Sequence, residues 1–201
     1  KRDSSRLVHY EGVVNDRRFN QTSDMESQMY PSVAKIEQFL KEHPEKPFIC
    51  CEYSHSMGNS NGALFKYTDL AKREPRYHGG FIWDFIDQAV FKKNEYGESF
   101  LATGGDFDDR PTDYNFCTNG IVFADRTLTT KMAEVKYCYQ PFTIACTPQG
   151  FTIHNEFLFT DTTPYSMTAT LCKDGVPVAE QELSLPVIAP QTAQSFANPF
   201  A

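Results

Sequence analysis

The chain has 201 residues, 40% of them hydrophobic and 22% charged, which is the composition of an ordinary globular protein with room for one domain or slightly more. A net charge of −7 without a lysine or arginine cluster argues against nucleic acid as a partner. No stretch approaches the roughly 18 consecutive apolar residues of a membrane-spanning helix, so no membrane partner is expected.

The first part of the chain alternates predicted strands and predicted helices. The strands are expected at residues 6–12, 24–30, 47–53 and 81–86. Helical spacing of apolar residues predicts helices over 32–43 and 63–73, and the Gly79-Gly80 pair is expected to precede the last strand. This βα rhythm predicts a parallel sheet.

The amino-acid composition of the chain changes after residue 91. Residues 92–130 are dense in Gly, Asp, Asn and Thr and are expected to form long loops, a feature that is uncommon unless it is functional. From residue 131 onward the pattern favours short β-strands punctuated by proline, as in a β-sandwich. Lys173-Asp174-Gly175 predicts a hairpin turn there.

Six cysteines are spread through the chain without any CxxC pair. They are Cys50, Cys51, Cys117, Cys138, Cys146 and Cys172. Structural zinc is therefore not indicated, and free, mostly buried thiols in a reducing compartment are expected. That expectation favours a cytoplasmic location, with the periplasm left open.

Glu52 is the sharpest single feature, because a carboxylate ends an apolar run that reads as a buried strand. Taken alone, it fits a salt-bridged strand-end residue as well as a catalytic one. The surrounding sequence is Cys51-Glu52-Tyr53-Ser54-His55-Ser56-Met57-Gly58-Asn59. This string resembles the nucleophile motif of the β-galactosidases of glycoside hydrolase family 2.

Further strings extend the resemblance in the same order. They are Gly79-Gly80-Phe81-Ile82-Trp83-Asp84, Gly104-Gly105-Asp106-Phe107 and Phe116-Cys117-Thr118-Asn119-Gly120. The resemblance implies an α/β fold, a partial TIM barrel containing the last four βα strands, followed by a β-sandwich segment. Residues 1–130 would be the C-terminal half of the (β/α)8 catalytic barrel with its active-site loops, and residues 131–201 a partial β-sandwich domain.

The family resemblance implies hydrolysis of terminal β-D-galactose, as from lactose, with retention of configuration by double displacement. Glu52 would be the nucleophile. The family's acid/base glutamate follows an asparagine on an earlier barrel strand. Neither Asn94-Glu95 nor Asn155-Glu156 lies in the matching place, so the partner is expected outside this chain and the isolated chain is expected to be inactive.

The resemblance also implies binding residues. The expected substrate contacts are His55, Trp83, Tyr30, Tyr53 and Asn119. Phe116, through its carbonyl, and Asn119, through its side-chain oxygen, match an incomplete sodium site, since oxygen ligands suit a hard cation. Na⁺ and Mg²⁺ are expected in the complete enzyme, with most of their ligands outside this chain.

Other readings of the sequence stay open. The chain could be a non-catalytic carbohydrate-binding or interaction module, one half of a split enzyme, or part of another family 2 glycosidase such as a β-glucuronidase or β-mannosidase. An intact Glu52 motif favours the enzyme, because a binding module has no need of a nucleophile. The expected partners are a β-galactoside, a second copy of the chain in a homo-oligomer, or the N-terminal portion of the same enzyme.

Overall fold

The computed structural model describes residues 3–201. The chain divides into two compact units, the first ending at Tyr139 and the second spanning Gln140–Ala201. The division falls later than the boundary at residue 131 expected from the sequence, because a helix over Lys131–Cys138 belongs to the first unit. No helix among the described residues is both long and apolar enough to cross a membrane.

The first unit is built on a three-stranded parallel sheet in the order β1-β2-β3. The strands are β1 (Glu26–Met29), β2 (Phe48–Tyr53) and β3 (Tyr77–Ile82). Helix α1 (Val33–Glu42) connects β1 to β2, and α2 (Phe65–Arg73) connects β2 to β3. The predicted βα rhythm is confirmed over these elements.

One face of the sheet is covered by the two helices. Ser32 begins α1 by accepting a hydrogen bond from the backbone N–H of Lys35, and Ile36 and Leu40 of that helix are fully buried. These aliphatic side chains pack with Phe48 of β2, and each contributes roughly 1.5–3 kcal/mol to folding through burial. The helix layer therefore fixes one face of β2.

The predicted strand over residues 6–12 is wrong. Residues 7–10 have no regular structure, and a 3₁₀ helix follows at Glu11–Asn15. Leu7 is 72% exposed, and the backbone of Val8 bonds to Asp24 and to the hydroxyl of Ser23, not to a strand. Without burial or a paired neighbour the segment gains nothing from strand geometry, so the described parallel sheet has three strands instead of four.

Strand β3 begins earlier than predicted, because Gly79 and Gly80 lie inside it and do not precede it. A Cβ atom on Gly80 would lie 2.6 Å from the Cβ of Cys50 in the neighbouring strand. The glycine therefore allows β2 and β3 to approach closely at this point.

Residues 92–130 contain more structure than the predicted loops. Strands β4 (Val90–Lys93) and β5 (Ser99–Ala102) form an antiparallel hairpin, and a 3₁₀ helix spans Tyr114–Cys117. Helix α3 (Lys131–Cys138) then replaces the β-structure predicted from residue 131. Its helical nature follows from Met132, Val135 and Cys138, which recur every three residues and pack on the core.

The second unit contains two antiparallel sheets. Their strands are β6 (Phe142–Thr147), β7 (Gly150–Asn155), β8 (Met167–Lys173), β9 (Val176–Leu183) and β10 (Ala193–Ala197). The sheets have the orders β10-β7-β6 and β8-β9. Asp174 and Gly175, with φ of 52° and 79°, form the predicted two-residue hairpin turn between β8 and β9.

All six cysteines are free, as predicted. The expectation that most of them are buried is wrong, since only Cys50 is buried, while Cys146 and Cys172 are exposed on strands of the second unit. Both strands are exposed along most of their length, which accounts for the exposure of the two thiols.

Candidate active site

The pairing of β1 with β2 is irregular where the candidate nucleophile lies. Gln28 pairs with Cys50, but the next residue, Met29, pairs with Glu52, so Cys51 is an extra residue on β2. Regular alternation along β2 stops there, since Cys51 and Glu52 are both half-buried between the buried residues Cys50 and Tyr53. A bulge of this kind re-aims a side chain, and here it turns Glu52 away from the helix layer.

Tyr30 holds Glu52 at two points. Its hydroxyl donates a 2.6 Å hydrogen bond to Oε2 of Glu52, and its backbone N–H donates to the backbone carbonyl of Glu52 at 2.9 Å. Tyr30 adopts a φ of 52°, an unusual value for a bulky residue that the paired contacts maintain. Among the described residues no hydrogen bond reaches Oε1, so one carboxylate oxygen is fixed and the other is available.

The proton of Tyr30 is firmly held. Burial raises the pKa of the Tyr30 phenol well above its usual range, and the hydrogen bond to the Glu52 carboxylate and the negative charge of that group raise it further. The phenol therefore remains a hydrogen-bond donor over the whole neutral range.

His55 lies between two aromatic rings at the same end of the sheet. Its ring is edge-on to Tyr30, with centroids 5.8 Å apart, and stacks on Phe116 at the same centroid distance. Ser60 Oγ donates to the carbonyl of His55 at 2.5 Å, and Lys131 Nζ donates to the carbonyl of Ser56. The loop after Glu52 is thus fixed, and His55 faces the cluster that contains the nucleophile.

Trp83 follows β3 at the carboxyl end of the sheet. Its backbone N–H donates to the carbonyl of Tyr53, and its carbonyl accepts the N–H of Ser56 at 2.8 Å. The next residue, Asp84, donates its N–H to the carbonyl of Asn119 at 2.8 Å. These bonds bring together the segments that carry Glu52, Trp83 and Asn119.

Asn119 is 3% exposed and carries an orphaned oxygen. Its Nδ2 donates to the carbonyl of Phe116 at 3.1 Å, whereas its Oδ1 is buried without a hydrogen-bond partner among the described residues. A buried oxygen of this kind is costly unless something binds it. The free Oδ1 and the second lone pair of the Phe116 carbonyl fit a hard cation such as Na⁺.

Tyr53 does not contact the site, which corrects the expectation that it binds substrate. It is 3% exposed, its ring packs edge-on against Tyr67 in the core, and its hydroxyl bonds to that of Tyr139. The bulge at Cys51 is the reason. In a regular strand Glu52 would face the helices and Tyr53 the site, but the extra residue reverses the order.

The glutamates of the two Asn-Glu pairs lie in different units of the chain. Glu95 is exposed in the turn between β4 and β5, and Glu156 lies in the second unit, where it accepts a hydrogen bond from Thr143. No group of three or more His, Cys, Asp or Glu residues suited to a metal ion occurs in residues 3–201.

Two contributors were missed by the sequence reasoning. The ring of Phe116 stacks on His55, whereas the sequence assigned only its backbone carbonyl a role. Asp84 keeps one carboxylate oxygen buried without a partner in the described chain, while Gln88 donates to the other at 2.8 Å. A charged residue two positions after the end of β3 was the available signal.

Comparison with known proteins decides the family. The family described as glycosyl hydrolases family 2, TIM barrel domain, matches residues 1–144. The chain belongs to glycosyl hydrolase family 2. A second family 2 element, β-galactosidase domain 4, matches residues 151–201. The parallel βα units of the first unit and the antiparallel sheets of the second agree with these two matches.

Named family 2 relatives match most of the chain. A β-galactosidase of Halalkalibacterium halodurans is 51% identical over 189 residues, which cover 94% of this chain and 18% of that protein. One of Clostridium acetobutylicum is 49% identical, covering 93% and 21%. The β-galactosidase large subunit of Lactobacillus helveticus is 51% identical over 139 residues, covering 68% and 22%. The chain therefore spans about a fifth of the length of these relatives.

Proposed function

We propose that the chain is the nucleophile-bearing part of a retaining β-galactosidase. The observation that carries the proposal is the 2.6 Å hydrogen bond from Tyr30 to Oε2 of Glu52 at the carboxyl end of a parallel sheet. That end of the strands is where barrel enzymes place their catalytic groups.

The chemistry divides between the two oxygens of Glu52. Oε1 attacks the anomeric carbon, a C–O bond forms, and the bond from that carbon to the leaving-group oxygen breaks. The leaving oxygen takes a proton from an acid/base glutamate outside this chain, which then removes a proton from the water that releases galactose. Tyr30 orients the carboxylate throughout by its bond to Oε2.

The surrounding residues recognise the sugar in this proposal. Trp83 supplies a ring for the apolar face of galactose, and His55, held between Tyr30 and Phe116, donates or accepts at a sugar hydroxyl. Asn119 Oδ1 and the Phe116 carbonyl would hold Na⁺, with further ligands from elsewhere in the protein. When bound there, Na⁺ would supply a fixed positive charge for sugar oxygens. Mg²⁺ would bind outside this chain.

The three parallel strands are, in this proposal, consecutive strands near the C-terminal end of a (β/α)8 barrel. Strands β1 and β3 each pair with β2 alone within the described chain, so each has one unpaired edge. Such edges favour association. We propose that the N-terminal part of the same enzyme covers them, with a homo-oligomer as the assembled state in the cytoplasm.

The test is hydrolysis of nitrophenyl β-galactoside by the full-length protein and by its Glu52→Gln variant. Removing the nucleophile should abolish turnover, because an amide cannot form the glycosyl-enzyme. A 2-deoxy-2-fluoro-galactosyl inhibitor should label the peptide that contains Glu52. Nitrophenyl β-glucuronide and β-mannoside should be poor substrates, and preference for either would replace the galactosidase assignment with that activity.

Glu95→Gln is the matched control, since it changes an exposed glutamate of an Asn-Glu pair in the same unit. It should retain activity. The 201-residue chain alone should be inactive. Turnover by that chain that depends on Glu52 would contradict the proposal that the acid/base group lies elsewhere.

A further inference from the structure

Tyr114 is an exposed aromatic residue whose backbone is hydrogen-bonded on both sides. It is 62% exposed and adopts a φ of 53°. Its backbone N–H donates to Oγ1 of Thr112, and its carbonyl accepts the N–H of Gly104 at 3.1 Å. The Arg110 guanidinium lies 5.6 Å from the centre of its ring.

Gly104 packs closely against Thr112 and the backbone of Tyr114. A Cβ atom on Gly104 would lie 3.0 Å from the Tyr114 carbonyl oxygen and would collide with Oγ1 of Thr112. The backbone of Tyr114 is therefore ordered on folding, although its exposed ring contributes little to the free energy of folding. A bulky residue kept in a sparsely populated conformation and left exposed points to a binding role.

The position of Tyr114 links it to the catalytic cluster. It is the first residue of the 3₁₀ helix Tyr114–Cys117, two residues before Phe116, whose ring stacks on His55. Two residues of a 3₁₀ helix advance about 4 Å. Exposure rises from the half-buried Glu52 to Phe116 at 57% and Tyr114 at 62%, so the series Glu52, His55, Phe116, Tyr114 runs from the nucleophile toward solvent.

The chemistry of Tyr114 and Arg110 selects a neutral saccharide. An aromatic face attracts the C–H groups on the apolar side of a pyranose, and the Arg110 guanidinium on the opposite face keeps the ring in place. The net charge of −7 disfavours an anionic ligand. One ring face is covered by Arg110, and the other can receive one sugar.

We propose that Tyr114, supported by Arg110, is a binding platform for the leaving-group sugar of a β-galactoside disaccharide. This inference rests on the proposed function. In this proposal Tyr114 raises the preference of the enzyme for disaccharides over simple alkyl galactosides.

The experiment compares lactose with methyl β-galactoside as substrates of the full-length protein. Tyr114→Ala should lower kcat/KM for lactose about fivefold more than for methyl β-galactoside, the size of one aromatic stacking contact. Tyr114→Phe keeps the ring and should keep the wild-type ratio between the two substrates. Tyr96→Ala, which removes an aromatic ring that is 80% exposed in the β4–β5 turn, is the matched control.

Each outcome decides the matter. A selective loss for lactose in Tyr114→Ala, absent from the other two variants, supports the platform. Equal losses for both substrates, or no loss, overturn it and show that another part of the protein covers Tyr114 or that the ring contacts nothing. If the wild-type protein hydrolyses neither substrate, the proposed function itself fails and the platform falls with it.

Discussion

Replacing Tyr30 with phenylalanine removes one hydroxyl group and keeps the ring that contacts His55 edge-on. The lost interaction is a 2.6 Å hydrogen bond to a carboxylate. Hydrogen bonds to charged groups contribute about 1.5–3 kcal/mol. If the bond holds Glu52 in its attacking geometry, kcat should fall about 10- to 150-fold.

The assay is steady-state hydrolysis of nitrophenyl β-galactoside by the full-length protein between about pH 6 and pH 9. Because the pKa of Tyr30 is raised by its burial and by Glu52, the phenol stays protonated across this window. The factor between wild type and variant should therefore be the same at every pH. Tyr137→Phe, which alters an exposed tyrosine of α3, should have full activity.

A loss smaller than about threefold would refute the reasoning, because it would fall below the contribution of one hydrogen bond to a charged group. So would a factor that shrinks as the pH rises through this window. That result would mean that Tyr30 loses its proton at a much lower pH than its surroundings allow.

Three further predictions concern the chemistry and stability of the first unit. Burial raises the pKa of the Cys50 thiol to about 12, so iodoacetamide at about pH 8 should modify exposed Cys146 and spare Cys50, as read by peptide mass spectrometry. This pKa exceeds the value of about 8.5 for a thiol in the unfolded chain. The stability that the protonated Cys50 thiol contributes should therefore be complete below about pH 8.5 and be lost as the pH rises toward 12. Rapid labelling of Cys50 at about pH 8 would contradict its burial and its raised pKa. Gly80→Ala should destabilise the chain by roughly 1–3 kcal/mol in thermal unfolding, because its Cβ would collide with β2, whereas Gly62→Ala, with open space around it, should not; equal shifts would refute the close approach. Leu40→Ala should cost about 2–5 kcal/mol by the same measurement, and a cost below about 1 kcal/mol would contradict its place in the core.

The sequence predicted the parts of the fold that depend on local pattern. Helix α1 follows from apolar spacing and a serine cap, and the turn at Asp174-Gly175 follows from residues that tolerate positive φ. The segment over residues 6–12 has a strand-like composition but no neighbour to pair with, and pairing is a long-range property. Composition alone therefore gave one strand too many.

The candidate site divides in the same way. Motifs identified Glu52 and His55, and the structure places them at the same end of the sheet. The face that Tyr53 occupies depends on the extra residue Cys51, which shows only in the pairing of β1 with β2. The stacking of Phe116 on His55 joins residues far apart in the chain, so no local pattern could have revealed it.

The double attachment of Tyr30 to Glu52 bears on how the proposed enzyme would lose activity when heated. The backbone bond and the hydroxyl bond tie the carboxyl end of a four-residue strand to the nucleophile, so fraying of β1 disorders Glu52 directly. Heat inactivation would then report local melting at this strand end and precede loss of the core. Engineering for heat tolerance should begin at the β1–β2 pair, where a small gain in local order prolongs the working life of the catalyst.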